Sequence, residues 1–372
     1  MKVAIVGAGI GGLALAQGLR AAGLGVTVYE RDRASESRRQ GYRLHISSVG
    51  ERALAVTLPD AVLHRVIATA TRPGDLVAGF DAQLNSRFEQ VFPVSVPGAV
   101  TSVDRYAFRR ALMTGLDDVL EFGKQFSSFL ETSDGVEITF ADGTSAAADV
   151  LVGADGWGSQ VRAQLVPGND IVDIGVRCVY GKVPLTSAVR ELAPAAFLRG
   201  FCFVSNDAGV GLAVAPVLFR EPPPEYGDYL MAVLTGTNDK LGVCDDDLFA
   251  RSPERLWAMV ARSVADWHPA IRALVDAGDP AVAFPITLRT CLTVRSWSSS
   301  RVTLLGDAVH PMTPAAGAGA NTALWDAARL TKALTSGTDL TTYQREVIAN
   351  GQTIVTESLQ NAERMFDVSI AR

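Results

Sequence analysis

A short apolar run that breaks straight into a glycine turn constrains this chain more than any other feature. Lys2-Val3-Ala4-Ile5-Val6 has the composition of a fully buried strand. It leads into Gly7-Ala8-Gly9-Ile10-Gly11-Gly12, which fits G-x-G-x-x-G. A helical stretch from Leu13 to Ala22 ends at Gly23, and a second apolar strand, Gly25 to Tyr29, ends on Glu30. In such a unit Gly7 makes the tight turn and Gly9 lets a pyrophosphate approach the backbone. Gly12 lets helix and strand pack closely. The helix start offers free N–H groups and a positive dipole end. A carboxylate at the position of Glu30 accepts ribose hydroxyls. A secretory signal is the rival reading of Lys2 and the apolar run, but glycines break the run and Gln17 and Arg20 interrupt its continuation.

With 372 residues the chain is long enough for a large core and for two or three domains. Hydrophobic residues make up 48% and charged residues 20%, a globular balance. The net charge of -6 favours neither nucleic acid nor an anionic membrane surface as a partner. No apolar run reaches the roughly 18 residues of a membrane helix, so no stable membrane insertion is expected. Cys178, Cys202, Cys244 and Cys291 are widely spaced and read as free thiols of a reducing, cytoplasmic compartment. His45, His64, His268 and His310 lack metal-ligand spacing, and no metal is expected. There is no G-x-S-x-G elbow.

Along the chain, residues 31–40 read as a charged surface loop and Gly41 to Ile46 as a strand. Asp104 reads as the cap of a helix over Tyr106 to Gly115. Ser133-Asp134-Gly135 separates two alternating runs, a hairpin signal. Val150-Leu151-Val152 is a second buried strand breaking into Gly153-Ala154-Asp155-Gly156. From about Ile171 strands at Gly175–Val183, Phe197–Val204, Val210–Val217 and Tyr229–Leu234, followed by two helices, read as an inserted β-rich block. A third buried strand, Val302 to Leu305, breaks into Gly306-Asp307. An amphipathic helix over Thr322 to Leu334 and a final helical segment close the chain.

Three glycine-bearing turns after three buried strands suggest a long, folded-over cofactor touched along its length. The motifs resemble those of the single-component (group A) FAD monooxygenases of the para-hydroxybenzoate hydroxylase fold, which include compact aromatic hydroxylases and tetracycline-inactivating monooxygenases. The resemblance rests on Gly7-x-Gly9-x-x-Gly12 with Glu30, on Gly153-Ala154-Asp155-Gly156-x-x-Ser159-x-Val161-Arg162, and on Gly306-Asp307-Ala308-x-His310-Pro311. It implies an α/β fold with a Rossmann-like FAD-binding domain (GR2-type), an inserted β-rich substrate domain and a C-terminal helix. The expected division is 1–170, 171–284 and 285–372, with some strands near 71–100 joining the substrate domain.

The resemblance implies FAD contacts at Gly7, Gly9, Gly12, Glu30, Arg31, Arg105, Asp155, Gly306, Asp307, Pro314, Gly317, Gly319, Ala320 and Asn321. Asp307 would bond the ribityl hydroxyls. Asp155, Gly156 and Arg162 are linked to NAD(P)H as well, with NADH or NADPH left open. As bland readings, Asp155 and Asp307 each cap a following helix, and His310 is structural. Arg43 is the one candidate placed beside flavin and substrate, and no catalytic base is named. Phe197, Phe201, Phe203 and Phe219 are candidates for the pocket wall.

The implied activity is hydroxylation of an aromatic or polyketide-like small molecule of secondary metabolism, with NAD(P)H and O2, through a flavin C4a-hydroperoxide and without a partner reductase. Baeyer-Villiger oxidation, desaturation or cyclisation on the same fold is the alternative. A flavoprotein that only sequesters a hydrophobic ligand is the non-enzyme rival. A flavin-dependent halogenase would show a tryptophan-rich motif in mid-chain, which this sequence lacks.

Overall fold

The computed structural model describes every residue except 38–40, 94–97, 169–170, 338 and 371–372. The charged loop expected over 31–40 is thus seen only to residue 37, and residues 94–97 of the stretch near 71–100 lie outside the described residues. So do residues 169–170, at the expected first boundary, and 371–372 at the chain's end.

The opening strand Lys2–Val6 lies at the middle of a five-stranded parallel sheet. Gly25–Glu30 and Leu120–Phe122 pair outward on one side. On the other side come Val150–Gly153 and then Val302–Leu304. Its three inner strands, Lys2–Val6, Gly25–Glu30 and Val150–Gly153, are short and mostly buried, as in a sheet covered on both faces, while the edge strand Leu120–Phe122 is half-buried. The helix Ile10–Ala21 covers it and packs on the late helix Gly319–Ser336. The contact is close at Gly18, where a Cβ would sit 2.7 Å from Thr331 Oγ1. A three-stranded antiparallel sheet holds the expected hairpin, Phe126–Glu131 with Val136–Phe140.

The β-rich block forms a seven-stranded sheet. Its order is Asp279–Cys291, Ile171–Pro184, Tyr229–Thr237, Gly211–Val217, Gly200–Ser205, Leu76–Asp81 and Ser86–Val91. Alternation assigns its two faces. Val179, Val183, Leu212, Val214, Leu230 and Ala232 face a second core under the helices Pro253–Ser263 and Pro269–Asp276. Val176, Cys178, Ala213, Ala215, Tyr229 and Met231 face the main core, toward the parallel sheet.

The strand expected over Phe197–Val204 begins later. Pro194 starts a short helix, Ala195–Arg199, and the strand opens at Gly200. Phe197 is therefore wholly buried in the second core and does not line the cleft. Among the described residues no helix is long and apolar enough to cross a membrane.

Candidate functional site

The first glycine turn is shaped by what a side chain would strike. Gly7 has φ +109°, and a Cβ there would lie 2.4 Å from the Ala154 carbonyl oxygen. A Cβ on Gly12 would lie 2.2 Å from the Gly7 carbonyl oxygen. Gly9 differs: its Cα faces open space, with the nearest atom at 4.0 Å. Gly9 also caps the helix Ile10–Ala21 without any side-chain cap, so first-turn N–H groups point outward unpaired. Glu30 is buried, its carboxylate accepting hydrogen bonds from Ala8 N at 2.9 Å and Asp32 N at 3.0 Å. Arg31 beside it is exposed.

Arg109 joins this corner although its sequence context did not single it out. It donates from Nε to Ala8 O at 2.8 Å and from Nη1 to Ser35 O at 2.9 Å, with Nη2 3.9 Å from Glu30. The signal was available: Arg109 follows Arg105 by one helical turn, so the two share a face of Arg105–Met113.

The second turn is occupied with itself. Asp155 accepts from Ser159 Oγ at 2.5 Å and from the Gln160 and Val161 N–H groups at 2.8 and 3.3 Å. Ser159 accepts from Arg162 N at 2.9 Å. Asp155 therefore caps the short helix Gln160–Leu165, and Gly156, at φ +82°, makes the bend. Burial pushes the Asp155 carboxyl up, against these hydrogen bonds. Arg162 is 5% exposed and points inward. It donates to Asp307 O at 3.2 Å, Ala308 O at 3.1 Å and Trp157 O at 2.5 Å. The resemblance links Arg162 to NAD(P)H. Its guanidinium is spent strapping the second turn to the third.

The third turn leaves its acid free. Gly306 has φ +62°, and its N–H donates to Asp326 at 2.7 Å. Asp307 lies in a single 3-10 turn, Gly306–Ala308, and its carboxylate caps no helix. Its side chain is exposed to solvent, between buried neighbours Gly306 and Ala308. Burial around it pushes its carboxyl up against the pull of His310, Arg105 and Arg162. His310 is fully buried and bonded to Asp326 at 2.8 Å.

Beyond Pro314–Ala316 and Gly317 at φ +59°, the helix from Gly319 brings Gly319 and Ala320 past Asp307. A Cβ on Gly319 would lie 3.9 Å from the Asp307 carboxylate. Asn321 is buried and its amide is fully used. It accepts from Ser47 N at 2.8 Å and donates to His45 O and Gly317 O, both at 3.0 Å. The Asn321 side chain thus ties two loops together.

The remaining wall comes from the seven-stranded sheet and the small strand Arg43–His45, which lies against Gly211–Val217. Phe201, Phe203 and Tyr180 are half-buried on this side, while Phe219 packs wholly buried against Tyr226 and Tyr229. Tyr42 packs on Tyr180, which stacks on Phe284 at 5.3 Å. The Arg105 guanidinium sits 5.7 Å from the Tyr42 ring centre.

Arg43 faces Asp104 across an antiparallel ladder but makes no ion pair with it. Asp104 is fully buried. It accepts from Tyr226 Oη and Tyr229 Oη, both at 2.6 Å, and from Ala107 N at 2.9 Å. Lys182 Nζ lies 3.5 Å away, between the two tyrosine rings at 4.1 and 4.3 Å.

Residues 1–221 and 250–358 match the family model described as FAD binding domain. The dual O-methyltransferase/FAD-dependent monooxygenase of Cercospora beticola is 34% identical over 367 residues, covering 89% of this chain. This chain spans only 42% of that relative's length. Aurachin C monooxygenase/isomerase of Stigmatella aurantiaca is 29% identical, with 91% of this chain and 82% of the relative covered. A crystal structure from Photorhabdus luminescens subsp. laumondii, provisionally described as an FAD-containing monooxygenase, superposes with TM-score 0.86 at 32% identity, covering 99% of both chains.

Proposed function

The chain belongs to the FAD-binding-domain family of FAD-dependent monooxygenases, and from that premise we propose that it uses NAD(P)H and O2 to hydroxylate an aromatic or polyketide-like small molecule. Asp307 carries the reading: an exposed acid with no hydrogen-bond partner among the described residues, in the third of three glycine turns that end adjacent strands of one sheet.

The residues fit an FAD. The open face of Gly9 and the uncapped N–H groups suit a pyrophosphate. Glu30 is held rigid by two backbone donors with lone pairs to spare for ribose hydroxyls. Asp307 is free to accept from ribityl hydroxyls, with Arg105 near enough to steady its charge. The turn at Pro314, Gly317, Gly319 and Ala320 would offer backbone to the ring system. Bound FAD would supply the electron transfer from nicotinamide and the activation of O2.

The protein's own part is to orient and to exclude water. The apolar sheet face with Phe201, Phe203, Ala213 and Met231 provides a dry wall. Arg162 holds the second and third turns at a fixed separation, and Asp155 fixes the shape of the second turn. Product mass separates oxygen insertion from desaturation and sequestration, and the product's carbon skeleton separates hydroxylation from Baeyer-Villiger insertion. Incubation with NADPH or NADH and a panel of polyketide-like aromatics should yield a product heavier by one oxygen, with substrate-stimulated consumption of nicotinamide. Loss of two hydrogens, or unchanged mass, would replace hydroxylation with desaturation or mere sequestration.

A further inference from the structure

Arg43 is a cation without an anion. Among the described residues it donates no hydrogen bond and enters no ion pair, and its Nε is buried with no partner at all. A guanidinium stays charged under all ordinary conditions and carries five donors, so leaving one half-buried and unpaired is costly. Burial holds its pKa down to about 10, which still leaves it ionised at neutral pH.

The obvious counter-ion is absent for a visible reason. Asp104 stands directly across the ladder, but two tyrosine hydroxyls and a backbone N–H already bond its carboxylate, and Lys182 cancels its charge. Lys182, Asp104 and Arg43 together leave one positive charge over. His45, the nearest other basic side chain on the strand, is pushed down by burial and by Arg43 itself, so it adds no charge at neutral pH.

The position of this surplus charge matters. It lies within electrostatic reach of Tyr229, on the strand Arg43–His45 that Asn321 ties to the turn at Gly317. The phosphate corner is elsewhere, at Gly9, Glu30 and Arg109. We propose that Arg43 receives an anionic oxygen of the substrate, so that the molecule hydroxylated is an aromatic acid carrying a carboxylate or an ionised acidic hydroxyl. The proposal rests on the reading of the chain as an aromatic hydroxylase and adds its substrate class. Arg43 becomes the specificity-determining residue, and Lys182 a positioning residue that keeps Asp104 from neutralising it.

The test is calorimetric titration of the FAD-loaded protein with 1-hydroxy-2-naphthoate and with its methyl ester, alongside a separate FAD titration of the apo-protein. One charge-assisted hydrogen bond corresponds to an acid preference of about ten- to a hundredfold over the ester. Arg43→Gln should abolish that preference and Arg43→Lys should restore part of it, with FAD affinity unchanged in both. Arg43→Met should melt no lower than the wild type, because it removes an uncompensated cation.

Equal binding of acid and ester, or binding of neither, overturns the proposal. So does loss of FAD affinity in Arg43→Gln with the acid preference intact, which would assign the guanidinium to the cofactor. A protein that binds no FAD at all fails the hydroxylase reading itself, and the FAD titration separates that outcome from the others.

Discussion

Asp307 has no hydrogen-bond partner among the described residues, and its carboxylate is open to an incoming donor. Helix capping was the bland reading of this residue, and the structure gives it no helix N–H to accept. Asp307→Ala should therefore weaken FAD binding by about 1.5–3 kcal/mol for each ribityl bond lost. Titration of FAD into the apo-variant measures it, and an unchanged affinity would leave Asp307 without a role. Asp155 is the opposite case. Its motif looked the same in sequence, but its bonds go to the helix it precedes. Only the side-chain geometry tells the two acids apart, since each follows a glycine at a strand end.

His310 yields a pH prediction. Burial alone would lower its pKa, but the charge and hydrogen bond of Asp326 outweigh that and raise it. A raised folded pKa means the stabilisation is complete below the ordinary histidine value of about 6.5 and fades as pH rises through the folded value. The melting-temperature advantage of wild type over Asp326→Asn should thus shrink from about pH 6 upward. An advantage that grows with pH would show that the pair is not held by an imidazolium.

Among the elements, the strand-turn-helix units were the most legible, because short apolar runs ending in glycine have few other uses. The three glycine turns do lie together in space, at adjacent strands of one sheet. Less legible was the tie between the strand Arg43–His45 and the loop before Gly319. Asn321 makes it with three hydrogen bonds spanning more than 270 residues of sequence on the Ser47 and His45 sides. Local pattern carries no trace of such a contact. Arg109 bonds two backbone carbonyls far away in sequence, which no motif displays, and only its helical spacing from Arg105 hints at its place.

The tie also explains Gly50, one turn into the helix Ser48–Thr57. A Cβ there would lie 2.3 Å from Asn321 Oδ1. Gly50→Ala should cost about 1–3 kcal/mol of stability by displacing that amide. Combined with Asn321→Ala it should cost clearly less than the sum of the two, since both break the same contact. Chemical denaturation of the three variants decides it, and strict additivity would disconnect the pair.

For the whole molecule, one strand-turn-helix unit with a distal acid, Gly7 to Glu30, serves the cofactor, and on the proposed reading the nicotinamide docks beside it. With Arg162 turned inward, docking relies on exposed groups and should be weak and transient. Even so, anaerobic NADPH or NADH should bleach the bound flavin without any added reductase, faster when substrate is present. Bleaching that requires a separate flavin reductase would make this a two-component system.

The order of the strands has one more consequence, for the chain while it is being made. Val150–Gly153 pairs on one side with the opening strand, but its other edge waits for Val302–Leu304. The whole seven-stranded sheet except its first two strands must emerge from the ribosome in between. During that interval an apolar strand edge stands bare, and Arg162 lacks the two carbonyls that will anchor it. Chains released before residue 302 should therefore aggregate and hold no flavin, and a slow late step should limit how fast the complete protein turns yellow after synthesis.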